Sequence, residues 1–492
     1  MTISFNQVAG NAWIVPGSYI EFDNSLANTA SLAYKTLVIA PRLSTGLQAA
    51  NEIHRITSKE QAQENLGIGS AGGLMVAAAL AASSVIDLHV LAVDDNGAGT
   101  EAAASIVVNG AANKAGLLNI VLGEQFVQVP VASGQTSDAI TTGITVAVAA
   151  KLDWPLLAVV NGANTSQIDF TFRHKGAFGN DAQVQIEWVG ELPTTPTFSN
   201  NGVADMSGGA GNPDLAPVIA SMGDEWYQVI INPFNDSDNM TVLETELENR
   251  FDAMTQLGGF NVTGYRGSHG ETTTYVANRN SFTTCLFGTN ESQSMAFVAA
   301  ATVGAIASQE LEKDPARPLQ TLEIDNFNPA LRNKRWDAQE RNILLREGVS
   351  TYTVGDDGRP RIESLVTTYN KNAGGFDDNS YRYLNTLATL QRVRWEQRKM
   401  IASKFPRSKL AEDTDLDKFG EGQDIMTPSR FKAEMLVLYR SFVERGWLQD
   451  FDNYKATFHA EINIDNKSRI DYTDQPTLIS GMRLVAGKMQ FK

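Results

Sequence analysis

Trp226-Tyr-Gln-Val-Ile-Ile-Asn232, stopped by Pro233, is the stretch on which the fold turns. Its β-branched and aromatic residues suit a pleated, buried strand, and the proline that closes it has no N–H to give to a ladder. Residues 240–257 then read as a helix and 260–265 as a second strand. Strand, helix, strand in that order predicts an α/β unit.

Working outward, the same character continues downstream through a largely apolar helix at 292–310 and a mixed-charge helix at 332–347. A Gly355-Asp-Asp-Gly358 hairpin turn follows. Upstream it reappears at 34–40, a β-rich strand. Thr57-x-x-Glu60 then reads as a capping box opening a helix to Leu66, followed by an Ala-rich helix at 74–83 and a strand at 88–93. The two stretches, 31–96 and 214–376, are expected to form one interrupted α/β domain.

Between them the composition changes. From the turn Asp95-Asn96-Gly97-Ala98-Gly99 the chain is rich in Ala, Val, Thr and Gly, with strand-like pieces at 105–108 and 126–131 and a polar, Pro- and Gly-containing segment at 193–217. Residues 97–213 are therefore expected to be a mainly β inserted domain at the periphery. A C-terminal α+β domain is expected over 377–492, with a long helix at 380–404 carrying Tyr383, Leu387, Leu390 and Ile401 in a stripe. Strands are expected at 455–464 and 469–472, and the closing run 488–492 alternates. At the other end, 1–30 reads as an arm and opening strand, with Ile3 and Phe5 on one face and Ser4 and Asn6 on the other. The fold class expected is thus mixed α/β and multidomain.

The formal charge of -16 disfavours a general nucleic-acid binder, because phosphate contacts need clustered cations. One cysteine, Cys285, excludes a disulfide framework within the chain. The first residues carry no Lys or Arg before an apolar run, so no secretory signal is expected. The most apolar stretch, 71–86, is too short and too rich in Gly and Ser to span a bilayer, so no membrane insertion is expected. Positive charge is concentrated: 332–440 holds 20 of the 40 Lys and Arg, against 16 acidic residues. Within it Arg392, Arg394, Arg398, Lys399 and Lys404 lie on one helix whose only acidic residue in this part is Glu396.

Catalytic signals are few. Gly67-Ile-Gly69-Ser-Ala-Gly72 fits the GxGxxG of dinucleotide sites, opens a helix, and has Asp94 downstream at a distance suited to a ribose. Against this, a strand should run directly into the first glycine, and residues 58–66 read as a helix, with the nearest upstream strand ending at Ala40. The glycines are read as a helix stop and a turn. The histidines His54, His89, His174, His269 and His459 show no metal-ligand spacing, the acidic pairs Asp94-Asp95, Asp356-Asp357 and Asp377-Asp378 suit turns and caps, and no Walker A sequence occurs. No cofactor, metal or catalytic residue is expected.

Three segments carry a family likeness: Val15-Pro16-Gly17-Ser18-Tyr19-Ile20-Glu21-Phe22-Asp23; Thr57-Ser58-x-x-Gln61-Ala62 through Gly67-x-Gly69-Ser70 to Asp94-Asp95; and Arg469-Ile-Asp471 with Leu484-Val-Ala486-Gly-Lys-Met-Gln490-Phe491. In this order and length the chain resembles Mu-like bacteriophage contractile tail sheath proteins. The resemblance implies a structural subunit that forms hexameric rings stacked helically around a tail tube and contracts to drive the tube through the host envelope. Its implied partners are other copies of itself, the tail tube protein, and baseplate and tail terminator proteins. Its implied place is the virion tail, after assembly in the host cytoplasm.

On that basis Ile3, Phe5, Met489 and Phe491 are expected on arm strands that add to a neighbour's sheet, the alternative being pairing within the chain. The basic helix is expected to face the tube through salt-screened contacts. Its alternative is a solvated face, or pairing with Glu412, Asp413, Asp415 and Asp417. A dinucleotide-binding enzyme, or another self-assembling tail protein such as a tube subunit, remains the competing reading.

Overall fold

The computed structural model describes residues 32–190, 193–420 and 423–491. The first α/β stretch runs β1 (Lys35–Pro41), β2 (Ile53–Arg55), α1 (Lys59–Leu66), α2 (Ala71–Ala82) and β3 (Asp87–Val93). The chain then departs through β4 (Glu101–Asn109), β5 (Gly116–Leu122), β6 (Gln125–Val131), α3 (Ser137–Ala149), β7 (Leu156–Val160), β8 (Gln167–Lys175), β9 (Gln183–Trp188), β10 (Thr197–Phe198) and β11 (Val203–Asp205).

It returns through α4 (Ala216–Ala220), β12 (Val229–Ile231), α5 (Ser237–Phe251), β13 (Phe260–Arg266), α6 (His269–Val276), β14 (Thr284–Asn290), α7 (Ala296–Lys313), α8 (Ala338–Glu347), β15 (Val349–Val354) and β16 (Pro360–Ser364). The last part holds α9 (Leu384–Lys404), β17 (Lys409–Leu410), β18 (Ile425–Met426), α10 (Pro428–Glu444), β19 (Leu448–Gln449), α11 (Phe451–Thr457), β20 (His459–Ile462), β21 (Ile470–Thr473) and β22 (Thr477–Leu478).

The two α/β stretches meet in one eight-stranded sheet, ordered β16-β15-β14-β13-β12-β1-β3-β2. Its inner six strands are parallel, and β2 and β16 are antiparallel edges. Every residue of β14 is buried, as a parallel strand covered on both faces demands. Helices α2 and α7 pack on each other and against β1 and β13. The strand order reverses between β1 and β12: the chain goes to β3 on one side, then returns to build β12 to β15 on the other.

The chain between β3 and α4 makes two antiparallel four-stranded sheets, β10-β4-β8-β7 and β11-β9-β5-β6, with α3 against β6 and β7. Its two ends meet: Thr100 bridges Ala210, Ala103 bridges Ser207, and Asn96 Nδ2 donates to the Asn212 carbonyl at 3.3 Å. The C-terminal part has a separate aromatic core of Phe431, Tyr439, Phe442, Trp447 and Tyr454, with Tyr439 and Tyr454 stacked at 3.7 Å.

Several local expectations are corrected. Helix α3 lies inside the stretch expected to be mainly β; Thr136 accepts from the Ala139 amide, and Ile140, Ile144 and Val148 bury one stripe. The cap of α1 is Ser58, one residue after Thr57: Ser58 accepts from the Gln61 amide and Gln61 Oε1 accepts from the Thr57 amide. Helix α2 starts at Ala71, three residues early, because Ser70 caps it through the Gly73 amide. Helix α8 starts only at Ala338, where Asp337 and Glu340 form a capping box. A short strand, β2, lies closer to the glycine motif than Ala40, although α1 still separates them. Residues 455–457 end helix α11 and are not strand, and 488–491 form no strand among the described residues.

Candidate functional site

In doubly wound sheets a ligand crevice opens at the carboxyl ends of the strands where the order reverses, here β1 and β12. This crevice is filled by the chain itself. The Ala71 amide, at the first turn of α2, donates to His174 Nε2 at 3.0 Å, and His174 Nδ1 lies 2.9 Å from Asp95 Oδ1. An Nε2 that accepts an amide proton leaves the ring proton on Nδ1, facing the carboxylate. His174 is wholly buried. Phe178 then plugs the crevice, edge-on to Phe234 just after β12 (5.3 Å) and to Phe297 on α7 (5.8 Å).

The glycine motif is absorbed by this packing. Gly67 ends α1 at φ 88°. Gly72 brings α2 onto β1, where a Cβ would stand 2.6 Å from the Pro41 carbonyl oxygen and 2.7 Å from Ala40 Cβ. Asp94, the residue at ribose distance, is bound to Arg42 at 2.6 Å. The backbone donor and the acid that a dinucleotide would use are thus engaged by the chain, which corrects the dinucleotide-binding alternative. The His174–Asp95 pair joins residues far apart in sequence, and no spacing signal could have found it.

The basic helix is α9, and its cations do not form one exposed row. Arg392 lies over Trp395 (5.2 Å) and Trp447 (5.6 Å) and binds Glu396 at 3.3 Å; Glu396 also takes Arg445 at 3.2 Å. Arg394 donates to the Phe251 carbonyl at 2.7 Å and sits over that ring, and burial pushes its guanidinium pKa down. Lys399 lies over Trp395 at 5.0 Å. Arg398 is exposed, with one bond to the Gln256 carbonyl, and the partly exposed Lys404 pairs with Glu434 at 2.5 Å. Two residues of the acidic run are engaged elsewhere: Asp413 holds Ser429 at the start of α10, and Asp415 holds Lys418.

Of the arm residues, Ile3 and Phe5 lie outside the described residues. Met489 and Phe491 are 93% and 96% exposed at the end of a tail that forms no helix or strand, and Leu484 and Val485 are exposed too. Among the described residues no helix is long and apolar enough to cross a membrane, and no group of three metal-ligating side chains converges.

The exposed tail and filled crevice turn attention from chemistry to assembly, and comparison with known proteins agrees. The chain is 36% identical, over its full length and all of the relative's, to the Mu-like prophage FluMu tail sheath protein of Haemophilus influenzae. It belongs to the phage tail sheath family. The family's central domain matches residues 208–368 and its C-terminal domain residues 377–492. Among solved structures, this tail sheath protein is similar to the sheath tail protein of Desulfitobacterium hafniense at 14% identity, covering 94% of this chain and all of that one, with a TM-score of 0.47. It is also similar to the helical sheath of the anti-feeding prophage in its contracted state, at 10% identity, covering 98% of this chain and all of that one, with a TM-score of 0.49. As a tail sheath protein, the chain is a structural subunit of a contractile tail.

Proposed function

We propose that this sheath subunit polymerises as stacked hexameric rings around a tail tube, linked by its terminal arms, and contracts to drive the tube through a host envelope. The observation that carries this reading is the tail at 484–491, which forms no helix or strand and exposes Leu484, Val485, Met489 and Phe491. A soluble subunit gains nothing by showing Met489 and Phe491 to water, whereas a strand offered to another sheet buries them on assembly. Ile3 and Phe5 serve the same purpose at the other end.

The chain acts by assembly and not as an enzyme. Energy resides in a metastable extended lattice, and contraction trades its contacts for more favourable ones. On α9, Arg398 and Lys404, the latter paired with Glu434, offer charge toward the tube, while Arg392 and Arg394 hold the helix against Trp447 and Phe251 and Lys399 lies over Trp395 of the same helix. Baseplate and tail terminator proteins meet the two ends of the stack. The subunit resides in the virion tail and assembles in the host cytoplasm.

The test is electron microscopy of the purified chain over a range of salt concentrations. Striated hollow tubes support the reading; uniform small particles under every condition, with and without tube protein, overturn it.

A further inference from the structure

The tail is fastened to the body up to a definite point. Asp474 Oδ2 accepts from Gln397 Nε2 (3.2 Å) and from the Tyr454 hydroxyl (3.1 Å). Strand β22 pairs with β19, and the Ile479 amide donates to the Trp447 carbonyl at 3.1 Å. Gln320 Nε2 donates to the Met482 carbonyl at 3.1 Å. Gly481 lies against the Pro318 ring so closely that a Cβ would stand 2.3 Å from Pro318 Cγ.

The last fastening among the described residues is Arg483. Its guanidinium stacks 3.6 Å from the Tyr383 ring centre, Nη2 donates to Asn385 Oδ1 at 2.9 Å, and Nη1 reaches Ser364 Oγ at 3.4 Å. Ser364 ends β16 of the large sheet and Asn385 lies in the first turn of α9. One planar cation therefore joins the tail, the sheet and the C-terminal helices, a geometry that a lysine ammonium cannot copy.

We propose that Gly481 and Arg483 form the anchor at which the C-terminal arm leaves the subunit, so that only the residues after Arg483 are handed to a second copy of the chain. The proposal rests on the arm reading above. It fixes the reach and the chemistry of the contact. At ~3.5 Å per extended residue, 484–491 spans about 28 Å, so the receiving edge lies within that distance of Tyr383. Val485, Gly487, Met489 and Phe491 fall on one side of an extended strand, and Leu484, Ala486, Lys488 and Gln490 on the other. The edge that receives it is apolar beneath the strand and, above it, apolar near Leu484 and Ala486 and acidic or polar near Lys488 and Gln490. Tension along the arm meets bonds to two parts of the subunit at once and loads the β22–β19 pair in shear.

Hydrogen exchange on the full chain, dissociated and as tubes, tests this. In the dissociated wild type, the bonded amides of Thr477 and Ile479 exchange slowly and those at 484–491 freely. In tubes the second group slows at least tenfold. Arg483→Ala speeds exchange at Thr477 and Ile479 at least tenfold and leaves α10 and α11 unchanged; Arg483→Lys gives a smaller effect of the same kind. Unchanged exchange at Thr477 and Ile479 in Arg483→Ala, or a loss of protection spread through the C-terminal helices, overturns the anchor. Tubes in which 484–491 still exchange freely overturn the arm reading instead, and the dissociated chain still judges the anchor.

Discussion

Replacing His174 by alanine strips the Ala71 amide of its acceptor and leaves Asp95 facing a cavity where an imidazole stood. Loss of a buried, doubly bonded side chain should cost about 2–4 kcal/mol, read as a lower urea midpoint with an unchanged slope. Asp181 gives a pH signature. Burial raises its pKa to about 7, against a smaller opposing pull from Arg266. Below pH 4 the carboxyl is protonated whether the chain is folded or not, and it has no effect. As pH rises from 4 to 7 the unfolded chain ionises first, so this group removes stability across that window, by on the order of 4 kcal/mol at most. Asp181→Asn should therefore flatten the fall of stability between pH 4 and 7 relative to the wild type, in denaturant titrations at fixed temperature. Cys285 is buried, and burial pushes its thiol up to about 12. Since the thiolate is the reactive form, the folded chain should resist an aromatic disulfide reagent at pH 8 and react fully once unfolded.

At the scale of elements, α9 separates two kinds of cation. Arg392→Ala breaks the stack with Trp395 and Trp447 and leaves Glu396 short of a partner, so the C-terminal part should lose about 1–3 kcal/mol. Arg398→Glu should change stability by less than about 1 kcal/mol, since the residue is exposed, yet weaken co-assembly with tube protein and reduce its salt dependence. Equal stability losses in both variants would sink this division of labour. The elements also show what the chain's order of residues discloses. Strands such as β1 and β13 were legible from their β-branched runs, and the interrupted α/β arrangement followed from their alternation with helices. Helix α3 was not, because its Ala, Thr and Val composition suits a strand equally well and only packing on β6 and β7 decides. The helix starts were missed by a few residues wherever Ser58, Ser70 or Asp337 took the cap. On α9 the charges were visible, but their orientation depends on Phe251, Trp447 and Glu434 from elsewhere in the chain. Arg483 and Tyr383, a hundred residues apart, gave no local sign of meeting.

For the whole molecule, deleting residues 484–492 should leave a folded chain with an unchanged melting temperature that forms no tubes under conditions where the full chain does. The measurement pairs calorimetry with electron microscopy, and normal tubes from the shortened chain would end the arm reading. The inserted sheets carry a different consequence. Their two ends leave the core side by side, at Asn96 and Asn212, which is the geometry of a detachable cassette: another domain whose ends lie equally close can be spliced there without redirecting the backbone. Yet the insert also supplies His174 and Phe178, the stopper of the crevice between β1 and β12. A graft that brings no stopper uncovers Phe234 and Phe297 and leaves a greasy socket open to every neighbour, so the inserted domain is free to vary in shape only if it keeps its cork.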